Sequence, residues 1–226
     1  MNVKQTLKHI IPAPAWTVLH KTYSGVMHLP ELPSVYLHPW RRASMASLAG
    51  LKNVHKGQRA FIIGNGPSLK QTDLSKLKGE FTFGLNRIYL MFPELGFGTT
   101  YFVSVNDLVI EQCAKDICAL SMPKFLSWRS HRFFTSGPPP ANFLYTTYDN
   151  PAFTRDVRWR VWESATVTYV ALQLAFHMGF KQIILVGVDH NSNVPGKANT
   201  TIVSQGDDPN HFNPSYFGKG FRWQLP

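Results

Sequence analysis

The chain has no uninterrupted apolar stretch near the roughly 20 residues that cross a bilayer. Ile10-Ile11-Pro12 is too short for the core of a secretion signal. Cysteine is scarce: only Cys113 and Cys118 are present. Five residues apart on a predicted helix, they face different directions and make poor disulfide partners. No Cys-x-x-Cys pair or Cys/His cluster offers the spacing of a structural zinc site, and no internal repeat or low-complexity tract is visible. Acidic residues are nearly missing from the first quarter of the chain. Residues 1–59 hold one acid, Glu31, against eight Lys/Arg, whereas residues 60–226 hold twelve acids against fifteen. The net charge of +10 is therefore concentrated at the N-terminal end. The body is close to balance and has no basic–aromatic stripe, so nucleic acid is not an expected partner.

These absences leave a protein expected in the cytoplasm, with a basic extension at residues 1–58 ahead of a body at 59–226. Pro12, Pro14, Pro30, Pro33 and Pro39 cut the extension into short helical or extended pieces. Its charge suits peripheral contact with the anionic inner face of a membrane. Trp16, Tyr36 and Trp40 equally suit packing onto the body. Nothing in the pattern fixes an oligomeric state.

The body alternates strand and helix signals. Strands are expected at Ala60–Gly64, Phe81–Asn86, Thr100–Asn106, Lys124–Trp128, Asn142–Thr146 and Gln182–Asp189. Helices are expected at Ser68–Lys78, Asp107–Leu120 and Glu163–Phe180. In the last of these, Val167, Val170, Leu174 and Met178 recur at helical spacing, and Gly179 marks its end. Continuous apolar strands between helices predict an α/β fold, a Rossmann-like and mostly parallel sheet flanked by helices, behind an irregular basic N-terminal extension. Gly137-Pro138-Pro139-Pro140 reads as a loop or flap, and residues 191–226 as a long irregular segment.

Phe61-Ile62-Ile63 runs into Gly64-Asn65-Gly66-Pro67-Ser68. A strand that passes through glycines into a helix start is a common way to hold a phosphate, because free N–H groups point at the anion. Ser68 with Gln71 fits a capping box. The full Gly-x-Gly-x-x-Gly spacing is absent, so an ordinary strand–helix turn fits as well. Other strands also end in polar residues, at Asn86, at Asn106-Asp107 and at Asp189-His190. In an open parallel sheet these ends share one edge, where ligands bind. Ser164 and Thr166 would add a second helix-start contact to an anion, or simply cap their helix. Candidate bases are His211, in Asp207-Asp208-Pro209-Asn210-His211, and His190 with Asp189 as its partner. Asp107, Asp189, Asp207 and Asp208 offer carboxylates but no regular metal-ligand spacing, so no metal site is assigned.

Phe61 to Lys70, followed by Thr72-Asp73-Leu74 and a strand ending at Asn86, resembles the nucleotide-binding start of bacterial CMP-sialic-acid sialyltransferases. It equally resembles the MptE-like domain family, named for a 6-hydroxymethylpterin diphosphokinase and found also in motility-associated glycosyltransferases. Ser164 to Thr168, then Leu185-Val186-Gly187-Val188-Asp189-His190, looks like that family's second hallmark. The resemblance spans roughly residues 58–219. It implies that Asn65, Ser68, Asn86 and Thr166 contact the nucleotide and that His211 is the base; the glycine turn, strand ends and helix start add Gly64, Gly66, Asn106 and Ser164 as candidates for the same nucleotide site. The implied reaction moves a sugar from a CMP-sugar donor to a glycan or other hydroxyl acceptor, with no cofactor required. The alternatives are pyrophosphate transfer from ATP with Mg²⁺, held by Asp107 and Asp189, and a non-catalytic nucleotide-binding module. The sialyltransferases place tyrosines after the Gly-x-Asp strand to hold the departing phosphate. Here Asn191, Ser192 and Asn193 follow, and Tyr216 is the substitute. Relatives continue beyond the point where Pro226 ends this chain, so a longer parent protein is expected.

Overall fold

The structure, a computed structural model, describes residues 12–135, 137, 139–149, 152–164, 166–189, 197 and 200–225. His190, Asn191, Ser192 and Asn193 lie outside the described residues, as do two positions of the 136–140 loop. Seven strands form one parallel sheet: β1 Arg59–Ile63, β2 Phe81–Leu85, β3 Tyr101–Ser104, β4 Lys124–Ser127, β5 Asn142–Thr147, β6 Arg160–Trp162 and β7 Gln182–Val186. Their order is β6-β5-β4-β3-β2-β1-β7. The chain steps outward from β1 to β6 and then returns to place β7 on the other side of β1. That reversal makes the β1/β7 boundary the switch point, where a Rossmann-like sheet opens a crevice at its carboxyl edge.

Alternate strand residues face opposite layers. Ile63, Phe102, Leu126 and Phe143 pack beneath helix Asp107–Ala119, through Ile110, Cys113 and Ile117. Ile62, Phe83, Leu85, Val103 and Leu144 pack beneath helix Val167–His177, through Val170, Ala171 and Leu174. The apolar spacing of that second helix set its buried face as expected. Its start differs from the expected Glu163: Thr166 is the cap and the helix begins at Val167, while Arg160–Trp162 ahead of it forms strand β6.

The proline-broken extension is helical: α1 Ala13–His28, α2 Leu32–Leu37 and α3 Pro39–Gly50. Val35 and Leu48 are fully buried, one in each core layer. Trp40 stacks on Phe143 at 6.2 Å, and Tyr36 meets Tyr145 edge-on. By contrast α1 leaves Val18, Leu19, Tyr23, Val26 and Met27 exposed. No helix among the described residues is long and apolar enough to cross a membrane. The remaining helices are α4 Phe92–Leu95, α5 Asp107–Ala119 and α6 Val167–His177.

Two local expectations fail. Ser68–Lys78 is not an α-helix but two short 3-10 segments, Pro67–Gln71 and Leu74–Leu77, with Asp73 capping the second. The C-terminal segment is less irregular than expected: β8 Thr201–Val203 pairs antiparallel with β9 Arg222–Gln224.

Candidate functional site

A cleft of about 380 Å³ opens at the β1/β7 switch point. One wall comes from the ends of β1, β2 and β7 and the start of α6: Gly64, Asn65, Gly66, Asn86, Thr166, Thr168 and Asp189. The other comes from the C-terminal segment: Asn210, His211, Tyr216, Phe217, Trp223 and Gln224.

The glycine turn is shaped first by β7. Gly64 and Gly66 donate their N–H groups to the carbonyls of Val186 and Gly187, at 2.8 and 2.9 Å. A Cβ on Gly64 would lie 2.3 Å from the Gly187 oxygen, and one on Gly66 would lie 2.2 Å from Asp189 Oδ2. The glycines are therefore required by a neighbouring loop. The Ser68 N–H reaches Asp189 Oδ2 at 2.9 Å, and the Ser68 hydroxyl donates to Asp189 Oδ1. A carboxylate of the chain itself thus occupies the anion position that the sequence suggested for a phosphate. The capping box does not form, because the Ser68 hydroxyl is turned to Asp189.

Asn65 holds the two walls together. Its Nδ2 donates to the Leu85 carbonyl at 3.0 Å and its own carbonyl accepts from Phe212 N–H at 2.9 Å. Its Oδ1 is buried with no partner among the described residues, an acceptor left for a ligand donor or a water. Asn86 takes a left-handed conformation, φ 47°, and its Oδ1 accepts from the Ser104 hydroxyl at 3.0 Å. Thr166 lines the cleft and caps α6 by accepting from Thr168 N–H at 3.2 Å. Asn106 caps α5 instead, accepting from Leu108 and Val109 N–H, and does not line the cleft. Ser164 sits at φ 45° and is not a lining residue either.

His211 is a titratable cleft residue held by a buried carboxylate. Its Nδ1 lies 2.7 Å from Oδ2 of Asp208, which is only 8% exposed. Asp208 also accepts from the N–H groups of Asn210 at 2.8 Å and Phe217 at 3.1 Å. Burial pushes the Asp208 carboxyl up, but the hydrogen bond and charge of His211 and these two N–H groups outweigh it. They hold Asp208 below the usual carboxylate range. An ionised carboxylate only accepts, so the tautomer is assigned with the proton on Nδ1 and the lone pair on Nε2. The imidazole stacks on Tyr216 with ring centroids 3.9 Å apart and 10° between the planes. Burial pushes the Tyr216 phenol well above its ordinary value, so it stays protonated. In the sequence Asp208 reads only as a carboxylate for a cation. The i, i+3 spacing of Asp208 and His211 was the signal for the pair.

The carboxylates named for Mg²⁺ do not fit a shared ion. Asp107 accepts from Ser130 at 2.7 Å and pairs with Arg132 at 3.1 Å. Asp189 is bound to Ser68. Asp107 follows β3 and Asp189 follows β7, strands that three spacings of the sheet, roughly 14 Å, separate. Among the described residues no three His, Cys, Asp or Glu side chains gather as a metal site. The cleft lining also contains no lysine or arginine among the described residues.

The sequence profile of the family described as "6-hydroxymethylpterin diphosphokinase MptE-like" matches residues 41–194. No curated protein sequence matches the chain significantly. Among solved structures, the chain is similar to the MAf glycosyltransferase from Magnetospirillum magneticum AMB-1, at 17% identity and a TM-score of 0.42. That match covers 95% of this chain but only 36% of the other, so the chain spans about a third of that protein's length.

Proposed function

Because the chain belongs to the MptE-like family, we propose that its cleft binds a nucleotide-activated substrate, and that it transfers a sugar from a CMP-sugar to a hydroxyl acceptor. One observation carries this reading: a histidine oriented by a buried carboxylate lines a switch-point cleft whose described lining residues include no Lys or Arg. A CMP-sugar has a single phosphate linkage and asks less positive charge of its site than a pyrophosphate donor does. The start of α6, worth about 0.3–1 kcal/mol toward an exposed anion, then suits the departing phosphate.

In this reaction His211 Nε2 takes the proton of the acceptor hydroxyl. The acceptor oxygen bonds to the anomeric carbon. The bond from that carbon to the phosphate oxygen breaks, and CMP leaves with the electron pair. Asp208 stabilises the imidazolium that forms, which a neutral partner would not do. Asn65 Oδ1 and Asn86 supply acceptor and donor groups for ribose or sugar hydroxyls.

The family's own name favours a second reading, pyrophosphate transfer from ATP to a hydroxymethylpterin. Asp107 and Asp189 offer that reaction no shared ion site. A thermal-shift panel of CMP, CMP-sialic acid, UDP-sugars, GDP-sugars and ATP, with and without Mg²⁺, separates the two. A ligand at 100 times its Kd adds about 2.7 kcal/mol of stability. A shift from CMP compounds alone supports the sugar transferase, a shift from ATP with Mg²⁺ alone supports the kinase, and no shift at all removes both.

A further inference from the structure

The two walls of the cleft differ in chemistry. The wall built by the strand ends offers backbone, hydroxyl and amide groups. The wall carrying His211 is aromatic and flanked by amides. We infer that this second wall, centred on Trp223 with Asn210 and Gln224, is an acceptor subsite for an uncharged carbohydrate ring. The inference rests on the transferase reading for the role of His211 and on the wall's own geometry for the rest.

An acceptor hydroxyl must come within hydrogen-bond reach of His211 Nε2. The acceptor therefore lies along the wall that holds the histidine. Trp223 has its indole N–H taken by the Ser204 hydroxyl at 2.9 Å, and Phe217 stacks on it at 5.3 Å and 21°. With its one donor taken, the indole contributes flat hydrocarbon surface to the cleft. A pyranose offers an apolar C–H face to such a surface and hydroxyls around its rim. Those hydroxyls need partners that both donate and accept, which carboxamides do. Asn210 and Gln224 line the cleft, and their side chains have no hydrogen-bond partner among the described residues. An anionic acceptor finds no lysine or arginine among the described lining residues.

The wall is also fixed in place. Gln112 on α5 grips the backbone of Arg222 from both sides, with its Nε2 2.8 Å from the Arg222 carbonyl and its Oε1 2.8 Å from the Arg222 N–H. Glu111 pairs with the Arg222 guanidinium at 2.9 Å. Trp223 is thus preorganised by a helix on a rigid layer, as a binding platform needs to be.

The test uses the full chain, saturated with CMP, on a printed array of neutral and sialylated oligosaccharides, with CMP affinity measured separately by calorimetry. Neutral glycans should be retained. Trp223→Ala should weaken retention about tenfold or more, Gln224→Ala should weaken it less, and Trp223→Phe should restore most of it. CMP affinity should change by less than about twofold, which also shows that each variant is folded. Retention of no glycan, preference for sialylated glycans, or a Trp223→Ala defect in CMP binding rather than glycan binding overturns the inference. CMP binding without glycan retention sinks this subsite alone. Glycan retention without nucleotide binding keeps the subsite and sinks the transferase reading.

Discussion

Asp208 Oδ2 receives both His211 Nδ1, at 2.7 Å, and the Phe217 N–H, at 3.1 Å, so one carboxylate oxygen orients the imidazole and fixes the loop that stacks beside it. If His211 is the base, His211→Ala should lower turnover about 10²–10⁴-fold with donor affinity nearly unchanged. Asp208→Asn should give a smaller loss and shift the pH–rate profile. Full turnover by His211→Ala would remove the histidine from the mechanism.

The same carboxylate makes stability depend on pH. Its native pKa lies below the unfolded value of about 3.9, so the native state binds fewer protons through that range. Its contribution is complete above the unfolded value and disappears as pH falls through the native one. Asp208→Asn should therefore be less stable than the parent at pH 6, with the gap closing below about pH 4. Urea midpoints across that range measure it, and a gap that stays constant would contradict the assignment.

Gly66 has φ −68°, a conformation open to any residue, so its constraint is steric. Gly66→Ala would bring a methyl group to 2.2 Å from Asp189 Oδ2 and should destabilise by about 1–3 kcal/mol. Combining it with Asp189→Ala should recover much of that loss, because the atom in the way is gone. A double-mutant cycle reads the coupling, and strict additivity would place the strain elsewhere.

Asp189 itself fills the anion position at Ser68. Asp189→Ala should free the Ser68 N–H and hydroxyl and leave CMP affinity equal or higher. A loss of turnover of 10²-fold or more in a folded variant with intact CMP binding would instead put Asp189 against the reacting atoms.

The legible parts of this fold were those written in short-range pattern. Apolar runs located β1 to β5 and β7, and the spacing of Val170 and Leu174 located the buried face of α6. Strand β6 was missed because Arg160–Trp162 has no apolar run, only Val161 buried between two larger residues. The helix expected after β1 was misread because the partner that diverts Ser68 is 121 positions away. In the sequence Gly64 and Gly66 suit the close approach of a ligand, whereas their close neighbours in the structure are Gly187 and Asp189. Trp223 and Gln224 gave no signal, since their placement depends on the antiparallel pairing of β8 with β9 and on the grip of Gln112.

The position of β7 beside β1 has a kinetic consequence. Ile63 pairs with Val186, so one wall of the cleft joins strand ends separated by more than half the chain. Strands β1 to β6 can pair with their neighbours as each is synthesised, but the strand-end wall of the cleft is incomplete until residue 186 has emerged. Closing so long a loop is slow and entropically unfavourable until the contacts form. During refolding, protection of β2 to β5 amides should therefore precede that of β7, and ligand binding should be the last property to return.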